Sequence, residues 1–472
     1  MSATVATSPD PAIGPRPVTD RSGAHHPLSL PYTAGHNRAP PGTVTVAVRT
    51  AITGRTRMKV VVIGAGIVGT CCGWHLAREG HAVELVDPLP PGCGTSFGNA
   101  GILSYSHVLP VGHPGVLRAL PRLLLRRDSP LRLRWGYLPV LAPWLLRLLR
   151  AARPGRFEAH ARALHALVSR AEAAHEAVIE ACGLRHLVRA SGWLKVARDG
   201  DAFDRETAWE RRFLERFGVP HEVVAGARLR ELEPALVPEV RRGLFLPRER
   251  RVVYPLDYTR GIFADLERRG GRWRQARVAS LRVESGRVRA VVTDRGTLAP
   301  ELVVLAAGVF SRELLRPLGL AIPLEAERGY HATLPAPAAG PGPERPVLAL
   351  EDGFLLAPMK DGIRLTTGIE LASPYAPPDF RPLRRLVARV GRWLAGIEPR
   401  ILGEWIGYRP CLPDSLPVIG FAPRCENLLL AFGHHHLGLT LAAVTGRIVA
   451  DLVAGRDPGL DLAPYRADRP FV

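Results

Sequence analysis

The 472-residue sequence has no apolar run of the roughly 20 residues that a membrane-spanning helix needs. No positively charged start precedes an apolar segment, so we predict no secretory signal. Its six cysteines include no CxxC pair, and we expect reduced thiols in the cytoplasm. Apolar residues at 46% and charged residues at 23% are ordinary values that exclude a wholly disordered chain.

Lysine is nearly absent, since 60 of the 63 basic residues are arginine, and the formal net charge is +19. The arginines are spread along the chain rather than concentrated on one element with interleaved aromatics, so we expect no nucleic-acid partner. One dense basic block, Arg118 to Arg156, also contains leucines, Trp135, Tyr137 and Trp144. We predict packed helices with solvated arginines there. Peripheral contact with anionic lipid on the inner face of the cell membrane is the alternative.

Residues 1–57 are rich in Pro, Gly, Thr and Ala and show no sustained period of two or 3.6, which predicts a disordered extension. A second hypothesis is that translation begins at Met58, directly before an apolar strand.

From Met58 onward, apolar runs alternate with amphipathic segments, which is typical of a parallel sheet covered by helices. We predict strands at 60–63, 82–86, 302–306 and 428–432, and helices at 67–78, 258–269 and 437–454. Further strands at 193–197, 243–246, 330–334 and 363–369 stand outside this alternation and predict a separate, mostly antiparallel sheet.

The sequence Gly64-Ala65-Gly66-Ile67-Val68-Gly69 lies between a predicted strand and helix, and Asp87 ends the next strand. Gly64 suits a tight turn, Gly66 leaves room for a pyrophosphate, and Gly69 allows close helix–strand packing. The helix N-terminus offers N–H groups to phosphates, and the Asp87 carboxylate can accept hydrogen bonds from ribose hydroxyls. This context predicts a dinucleotide site.

Two further segments are less specific. The loop Gly94–Gly101 carries small residues with hydroxyl and amide groups, which suit contact with a flat or phosphorylated ligand but equally suit an ordinary polar loop. Leu305–Gly308 is a strand end with small residues, where the backbone either approaches a cofactor or simply turns.

The C-terminal block Trp405–Gly420 places Arg409 in a stiff Gly- and Pro-rich setting, where its guanidinium can bind a carboxylate through two hydrogen bonds. The alternative is a structural ion pair. His434, His435 and His436 follow, but adjacent side chains point in different directions and no Cys, Asp or Glu stands nearby in sequence. We therefore predict no metal site.

Together these motifs resemble the FAD-dependent D-amino-acid oxidase superfamily, and most of all its bacterial D-amino-acid dehydrogenases of the small-subunit type, from about Met58 to Asp461. The resemblance rests on MKVVVIGAGIVG, on TSFGNAG, on ERGYH at 327–331, and on GYRPCLPDSLPVIG followed by FGHHHLGLT. The last two segments are the most discriminating.

The resemblance implies an α/β fold: a Rossmann-like FAD-binding domain built from discontinuous segments, plus a substrate domain with a mixed, largely antiparallel sheet. The FAD-binding segments would be 58–185 (with a basic helical insert at about 115–156), 251–318 and 405–472. The substrate domain would comprise 186–250 and 319–404.

The resemblance also implies which residues surround a non-covalently bound FAD. The ADP half would contact Val62, Ile63, Gly64, Ala65, Gly66, Ile67, Val68, Gly69 and Asp87. The pyrophosphate and ring would lie beside Thr95, Ser96, Asn99, Ala100 and Gly101. Val278 would meet adenine, Gly308 would approach the cofactor, and Gly438, Leu439 and Thr440 would present a helix N-terminus to the pyrimidine edge.

The implied reaction is oxidation of a D-amino acid by hydride transfer from Cα to flavin N5, followed by hydrolysis to a 2-oxo acid and ammonia. Arg409 would hold the substrate carboxylate, Tyr330 would add a hydroxyl contact, and His434, His436 or His331 would line the pocket. Electrons would pass to a quinone or to oxygen. The chain departs from the family pattern at His435, where Gly is common, and at Cys411, where Ser is frequent.

Two other functions stay open at this point. One is oxidation of glycine, sarcosine or a hydroxyproline-type secondary amine on the same scaffold. The other is a basic membrane- or nucleic-acid-associated protein that carries flavin without oxidising amines.

Overall fold

The computed structural model describes residues 57–113, 115, 131–337, 340 and 342–471. Contacts divide the chain into Met1–Ile52 and Thr53–Val472, and every described residue belongs to the second unit. The predicted disordered extension therefore lies outside the described residues, apart from Arg57. So do Arg118, Arg122, Arg126 and Arg127 of the basic block.

In chain order the strands are β1 Lys59–Ile63, β2 Ala82–Asp87, β3 Ile102–Leu103, β4 Leu131–Leu133, β5 Val188–Ala190, β6 Trp193–Ala197, β7 Glu222–Ala225, β8 Arg242–Leu246, β9 Arg250–Val252, β10 Arg272–Gln275, β11 Val278–Glu284, β12 Arg287–Thr293, β13 Gly296–Leu298, β14 Leu302–Leu305, β15 Glu325–Leu334, β16 Val347–Ala349, β17 Phe354–Met359, β18 Gly362–Thr366, β19 Ile369–Leu371, β20 Gly403–Cys411, β21 Val418–Phe421 and β22 Leu428–Phe432. The α-helices are α1 Ile67–Arg78, α2 Leu138–Ala151, α3 Pro154–Val168, α4 Ala171–Ala181, α5 Gly200–Arg216, α6 Gly226–Leu232, α7 Pro255–Arg268, α8 Ser311–Leu315, α9 Arg381–Val387 and α10 Gly438–Ala454.

A six-stranded sheet with the order β10-β2-β1-β14-β22-β21 forms the first layer. All its neighbouring pairs are parallel except β21 with β22. The central strands β1, β14 and β22 consist almost entirely of buried Val, Leu and Ile, because both faces of the sheet are covered. Helices α1 and α10 contact the sheet, and strands β11 and β12 pack on one face through Leu281 and Val291. Chain segments more than 350 residues apart in sequence thus build one sheet, as predicted for the dinucleotide-binding part.

The second layer is a ten-stranded mixed sheet that follows the path β4-β19-β15-β18-β17-β16-β6-β8-β7, with β20 paired to β15. Its pairs are antiparallel except β16 with β6 and β19 with β4. One face packs on a large core that includes Leu194, Phe354, Leu365 and Trp393. The predicted fold class, a Rossmann-like domain with a largely antiparallel second sheet, is confirmed.

Several boundaries differ from the predictions. β20 pairs with β15 from Gly403 to Cys411, so the predicted boundary at 404/405 falls inside a strand of the large sheet. β4, predicted within the basic helical insert, also joins that sheet, because its backbone pairs with β19. The strand predicted at 363–369 is two strands, β18 and β19, separated by Thr367 and Gly368.

One helical stretch among the described residues, His435–Ala454, is long and apolar enough to cross a membrane by length and composition. It contains Arg447 and Asp451. Of its most apolar window, 72% is buried inside the fold, which is typical of a core helix.

Glu370 anchors a buried charge network in the large sheet. Its carboxylate accepts a hydrogen bond from the Tyr330 hydroxyl at 2.5 Å and lies 3.0 Å from Arg134 and 3.3 Å from Arg328. Both Glu370 and Arg328 are almost completely buried. Loss of the carboxylate would leave the Arg328 charge without a counter-ion, which is costly inside a protein.

We expect Glu370→Ala to lower the free energy of unfolding by about 3–5 kcal/mol, because it leaves a buried guanidinium unpaired. The matched control is Glu398→Ala, which removes an ion pair with Arg400 whose side chains are both 57% exposed. That change should cost less than about 1 kcal/mol. Denaturant unfolding of both variants measures the difference, and equal losses would contradict the network's role.

Candidate active site

The turn between β1 and α1 leaves no space for larger side chains at two of its glycines. Gly64 has a φ of +107°, and a Cβ there would lie 2.4 Å from the Ala306 carbonyl oxygen. A Cβ on Gly69 would lie 2.0 Å from the Gly64 carbonyl oxygen, so glycine is required for α1 to pack this closely. These distances agree with the tight turn and the close packing predicted from the sequence.

The N-terminus of α1 opens toward the loop Gly94–Gly101. Gly66 provides no side-chain cap, and the first turn carries no acidic residue. The Ile67 N–H donates to the Ser96 hydroxyl at 2.9 Å. The positive end of this helix therefore meets polar loop atoms without a neutralising carboxylate, which suits an anionic ligand group.

Asp87 ends β2 beside the same turn. Its carboxylate accepts hydrogen bonds from the Ala65 N–H at 2.8 Å and the Leu89 N–H at 2.9 Å. Burial raises the pKa of Asp87 above its ordinary value, while these N–H groups act against that shift. The Asp87 carboxylate thus also holds the backbone of the turn in place. The spacing of the sequence motif did not predict this contact.

The loop Gly94–Gly101 is held against the large sheet by Arg364 on β18. Arg364 is 1% exposed, and its Nη1 donates to the Phe97 carbonyl at 2.7 Å and the Asn99 carbonyl at 2.8 Å. The Thr95 hydroxyl lies within hydrogen-bond distance of the Tyr408 backbone. The loop is therefore held between the large sheet and the start of α1 rather than free in solvent.

Side chains alternate along the paired strands β15 and β20, so the register decides which residues share a face. Glu327 lies opposite Arg409 and His331 opposite Trp405, and the register runs without a break. We call this surface the covering face. Its members on the two strands are Glu325, Glu327, Gly329, His331 and Thr333 with Gly403, Trp405, Gly407, Arg409 and Cys411. The Phe97 ring contacts both His331 and Trp405, so the covering face looks toward the loop Gly94–Gly101.

Arg409 lies flat along the covering face. A Cβ on Gly329 would come within 2.8 Å of its Nη2, so the guanidinium passes directly over that glycine. Its Nη1 donates to the Gly368 carbonyl at 3.1 Å, and its Nη2 lies 3.4 Å from the Thr367 carbonyl. Among the described residues no carboxylate lies within 4.0 Å of it. The structural ion pair considered as an alternative is therefore absent from this part of the chain.

Tyr330 projects to the opposite face from Arg409, because neighbouring residues on a strand alternate. Its hydroxyl donates to Glu370, and its ring packs edge-on against Phe380 within the large core. The hydroxyl contact predicted for Tyr330 is thus made with Glu370 in the core, on the opposite face from Arg409. Tyr330 belongs to the buried charge network of Glu370.

The three consecutive histidines have different surroundings. His434 is 3% exposed, its Nε2 lies 3.0 Å from the Thr445 hydroxyl of α10, and burial lowers its pKa to about 3. His436 is exposed and packs edge-on against His107 at 4.8 Å. The His434 ring is therefore neutral near pH 7. Of the two, His436 is the better placed to meet a ligand.

The other positions that were predicted to contact FAD lie at the start of α10, at Gly308 and at the start of β11. α10 begins at Gly438 without a side-chain cap or an acidic first turn. The Thr440 hydroxyl accepts a hydrogen bond from the Ser104 N–H at 2.9 Å. A Cβ on Gly308 would meet no atom within 4 Å, and Val278 begins β11.

Sequence reasoning missed Arg364 and Glu327. Arg364 lies outside every recognised motif, 33 residues after ERGYH and 41 before Trp405, and only the alternation of β18 places it on the covering face. Glu327 is the first residue of the ERGYH segment, but the sequence alone did not show that it faces Arg409. Strand register, which depends on pairing partners far away in sequence, was the missing signal.

The sequence matches the FAD dependent oxidoreductase family over residues 59–452. It is 33% identical over 417 residues to a D-amino-acid oxidase of Bradyrhizobium diazoefficiens, covering 87% of this chain and 98% of the relative. A D-amino acid dehydrogenase of Paramagnetospirillum magneticum is 33% identical over 421 residues, with 87% and 99% coverage.

Among solved structures, a glycine oxidase from Geobacillus kaustophilus superposes with a TM-score of 0.66 at 23% identity, covering 88% of this chain and 99% of that one. An L-proline dehydrogenase from P. horikoshii gives a TM-score of 0.63 at 19% identity, covering 87% and 97%. These similarities support the fold. The chain therefore belongs to the FAD dependent oxidoreductase family, and it is an FAD-dependent enzyme as its sequence motifs predicted.

Proposed function

We propose that this enzyme oxidises D-amino acids to 2-oxo acids and ammonia. The relatives that share a third of its sequence over almost their whole length are a D-amino-acid oxidase and a D-amino acid dehydrogenase. The observation that carries the proposal is Arg409, a guanidinium on the covering face that no carboxylate neutralises among the described residues. A substrate carboxylate is the partner that such a group lacks.

Arg409 would bind the substrate carboxylate and so fix the position of the substrate. Its donors now point at the Thr367 and Gly368 carbonyls, which hold the guanidinium plane over Gly329. Carbonyl partners orient a guanidinium without cancelling its charge, so two N–H groups can turn to an incoming carboxylate. The substrate would then lie between the covering face and the loop Gly94–Gly101, with Cα fixed in one orientation.

FAD would occupy the cleft beside the β1–α1 turn, held by the glycines of that turn, Asp87 and the loop Gly94–Gly101. The residues fit the cofactor: the α1 N-terminus is uncapped by acid, Asp87 stands at the end of β2, and Gly308 has open space beside it. Bound FAD supplies the acceptor for the hydride that leaves substrate Cα. The uncapped start of α10 at Gly438, Leu439 and Thr440 would stabilise negative charge on the reduced ring.

The histidines near the site contribute no cation. The pKa of His434 is lowered to about 3 by burial, and that of His331 is well below the usual range for the same reason. Because these rings are neutral, Arg409 is the positive charge that would select a substrate carboxylate. The substrate amine would enter already deprotonated, since imidazoles with so low a pKa are poor bases.

We further propose that α2 docks on an anionic lipid surface. Its solvent side carries Val140, Leu146 and Leu149, each 47–55% exposed, and Trp135 just before it is 64% exposed. Arg150, Arg153 and Arg156 are exposed next to this apolar stripe. An amphipathic helix with arginines beside exposed Leu and Trp suits the headgroup region of a membrane. Docking would bring the enzyme to quinone as its electron acceptor, whereas a free enzyme would use oxygen.

Arg409→Lys should lower kcat/KM for the best D-amino acid by at least about 100-fold, because one ammonium cannot replace two parallel charge-assisted hydrogen bonds. Arg230→Lys is the matched control, since Arg230 also donates only to main-chain carbonyls, those of Leu236, Pro238 and Val240. Steady-state kinetics of both variants, each with full flavin content, measure the two losses in kcat/KM. A similar loss in the two would remove Arg409 from the substrate site.

Anaerobic mixing with a panel of amines tests the substrate class. We expect the flavin absorbance of the purified enzyme to bleach with D-alanine or D-proline and to stay unchanged with the L-isomers. Bleaching by glycine or sarcosine alone would replace the proposal with a secondary-amine or glycine oxidase function. No bleaching by any amine would mean that the bound flavin does not serve amine oxidation.

Liposome flotation tests the lipid surface. The enzyme should float with vesicles that contain anionic lipid and stay at the bottom with neutral vesicles, because arginines attract the former. Leu146→Asp should lose the effect, while Leu402→Asp, at another exposed leucine (51%), should keep it. Equal recovery with both lipids, or equal behaviour of the two variants, would contradict docking through α2.

A further inference from the structure

Three side chains of metal-ligating types meet next to Arg409. A carboxylate oxygen of Glu327, the sulfur of Cys411 and a ring nitrogen of His435 all lie within 4.8 Å of one another. The residues are 3%, 0% and 6% exposed. Within the described part of the chain, no other three His, Cys, Asp or Glu residues come together in this way.

The three groups come from different parts of the fold. Glu327 and Cys411 stand on the covering face, on β15 and β20, and His435 lies in the turn that precedes α10. Separations of 84 and 24 residues along the chain explain why the sequence motif of three histidines did not reveal the cluster. Cys411 and His435 are also the two positions where this chain departs from the pattern it resembles.

Glu327 is a buried carboxylate that lacks a cationic partner. Arg409 lies directly opposite it on β20, yet the guanidinium turns away to the Thr367 and Gly368 carbonyls. No ion pair within 4.0 Å joins Glu327 to a Lys, Arg or His among the described residues. An ionised carboxylate in such a place is costly unless a positive charge compensates it.

His435 has one buried ring nitrogen without a hydrogen-bond partner. Its Nε2 lies 2.9 Å from the Leu412 carbonyl and 2.8 Å from the Leu412 N–H, while its buried Nδ1 has no hydrogen-bond partner. Nε2 can accept from that N–H or donate to that carbonyl, depending on the tautomer. With the proton on Nε2, the Nδ1 lone pair is free, which is the usual arrangement behind a metal-bound imidazole. The backbone at His435 is also strained, with a φ of +51°.

The three side chains supply one sulfur, one oxygen and one nitrogen donor from buried positions. Such a donor set suits a divalent cation. Metal binding would release the thiol proton to solvent and give a thiolate, a carboxylate and a neutral imidazole around a divalent ion.

We propose that Glu327, Cys411 and His435 bind a zinc ion. Mixed sulfur, nitrogen and oxygen donors are the set that zinc prefers, and three protein ligands leave a fourth position for water. The two anionic ligands match the charge of the ion, so Arg409 beside it remains available to a carboxylate. The ion ties the covering face to the turn before α10 and thereby fixes Arg409 relative to that helix. This site does not depend on which amine the enzyme oxidises.

The test is the zinc content of the flavin-loaded enzyme, purified without a metal-affinity tag, incubated with zinc chloride and passed through a desalting column. We expect about one zinc per chain by plasma mass spectrometry. Cys411→Ser and His435→Gly should each reduce it at least about tenfold, and the glycine also relieves the strained backbone. The matched control, Cys425→Ser, changes another buried cysteine outside the cluster and should keep the zinc.

A second readout separates metal loss from misfolding. Zinc should raise the thermal unfolding midpoint of the wild-type and Cys425→Ser enzymes and leave that of Cys411→Ser unchanged, while all retain flavin. Cobalt in place of zinc should produce ligand-field bands at wavelengths longer than the flavin absorption. A wild-type enzyme that retains no zinc, or equal zinc in Cys411→Ser and Cys425→Ser, would overturn the site. Amine oxidation could persist in either case, so failure here would not count against the proposed function.

Discussion

The pairing of β15 with β20 determines which side chains can meet the cofactor. Because residues alternate between two faces, an unbroken antiparallel register places Glu327, His331, Arg409 and Cys411 on one surface and Tyr330 on the other. A slip of one residue would exchange these sets. The register is held from both sides, by the apolar core under Tyr330 and by Arg364, which binds the loop Gly94–Gly101 from the covering face.

Charged side chains have different partners on the two faces of the large sheet. On the core side, Glu370 compensates Arg328 and Arg134, and the buried charges stabilise one another. On the covering face, Arg409 and Arg364 donate to main-chain carbonyls instead of carboxylates. Guanidinium groups that no carboxylate neutralises suit the binding of anionic groups, whereas the paired charges of the opposite face stabilise the fold.

The sequence was sufficient for the parts of the fold that depend on local pattern. We could predict three such features: the apolar run of β1, the glycines at 64 and 69, and the acidic end of β2. Their roles depend on neighbours a few residues away. The roles of Tyr330, Arg364 and Glu327 were not readable, since strand register and face depend on partners 40 to 270 residues distant. His434 was assigned to the pocket by its motif, yet its hydrogen bond to Thr445 directs it to α10, and His436 is the exposed ring.

The central claim is that the uncompensated charge of Arg409 holds the carboxylate of the substrate. Propionate, which is D-alanine without its amino group, carries that carboxylate and cannot be oxidised at an amine-bearing carbon. Titration of the oxidised enzyme with propionate, followed by the flavin difference spectrum, measures this contact alone. Saturable binding to the wild type that disappears in Arg409→Met, with flavin retained in both, is the predicted result. Equal affinity in the two proteins would contradict the account.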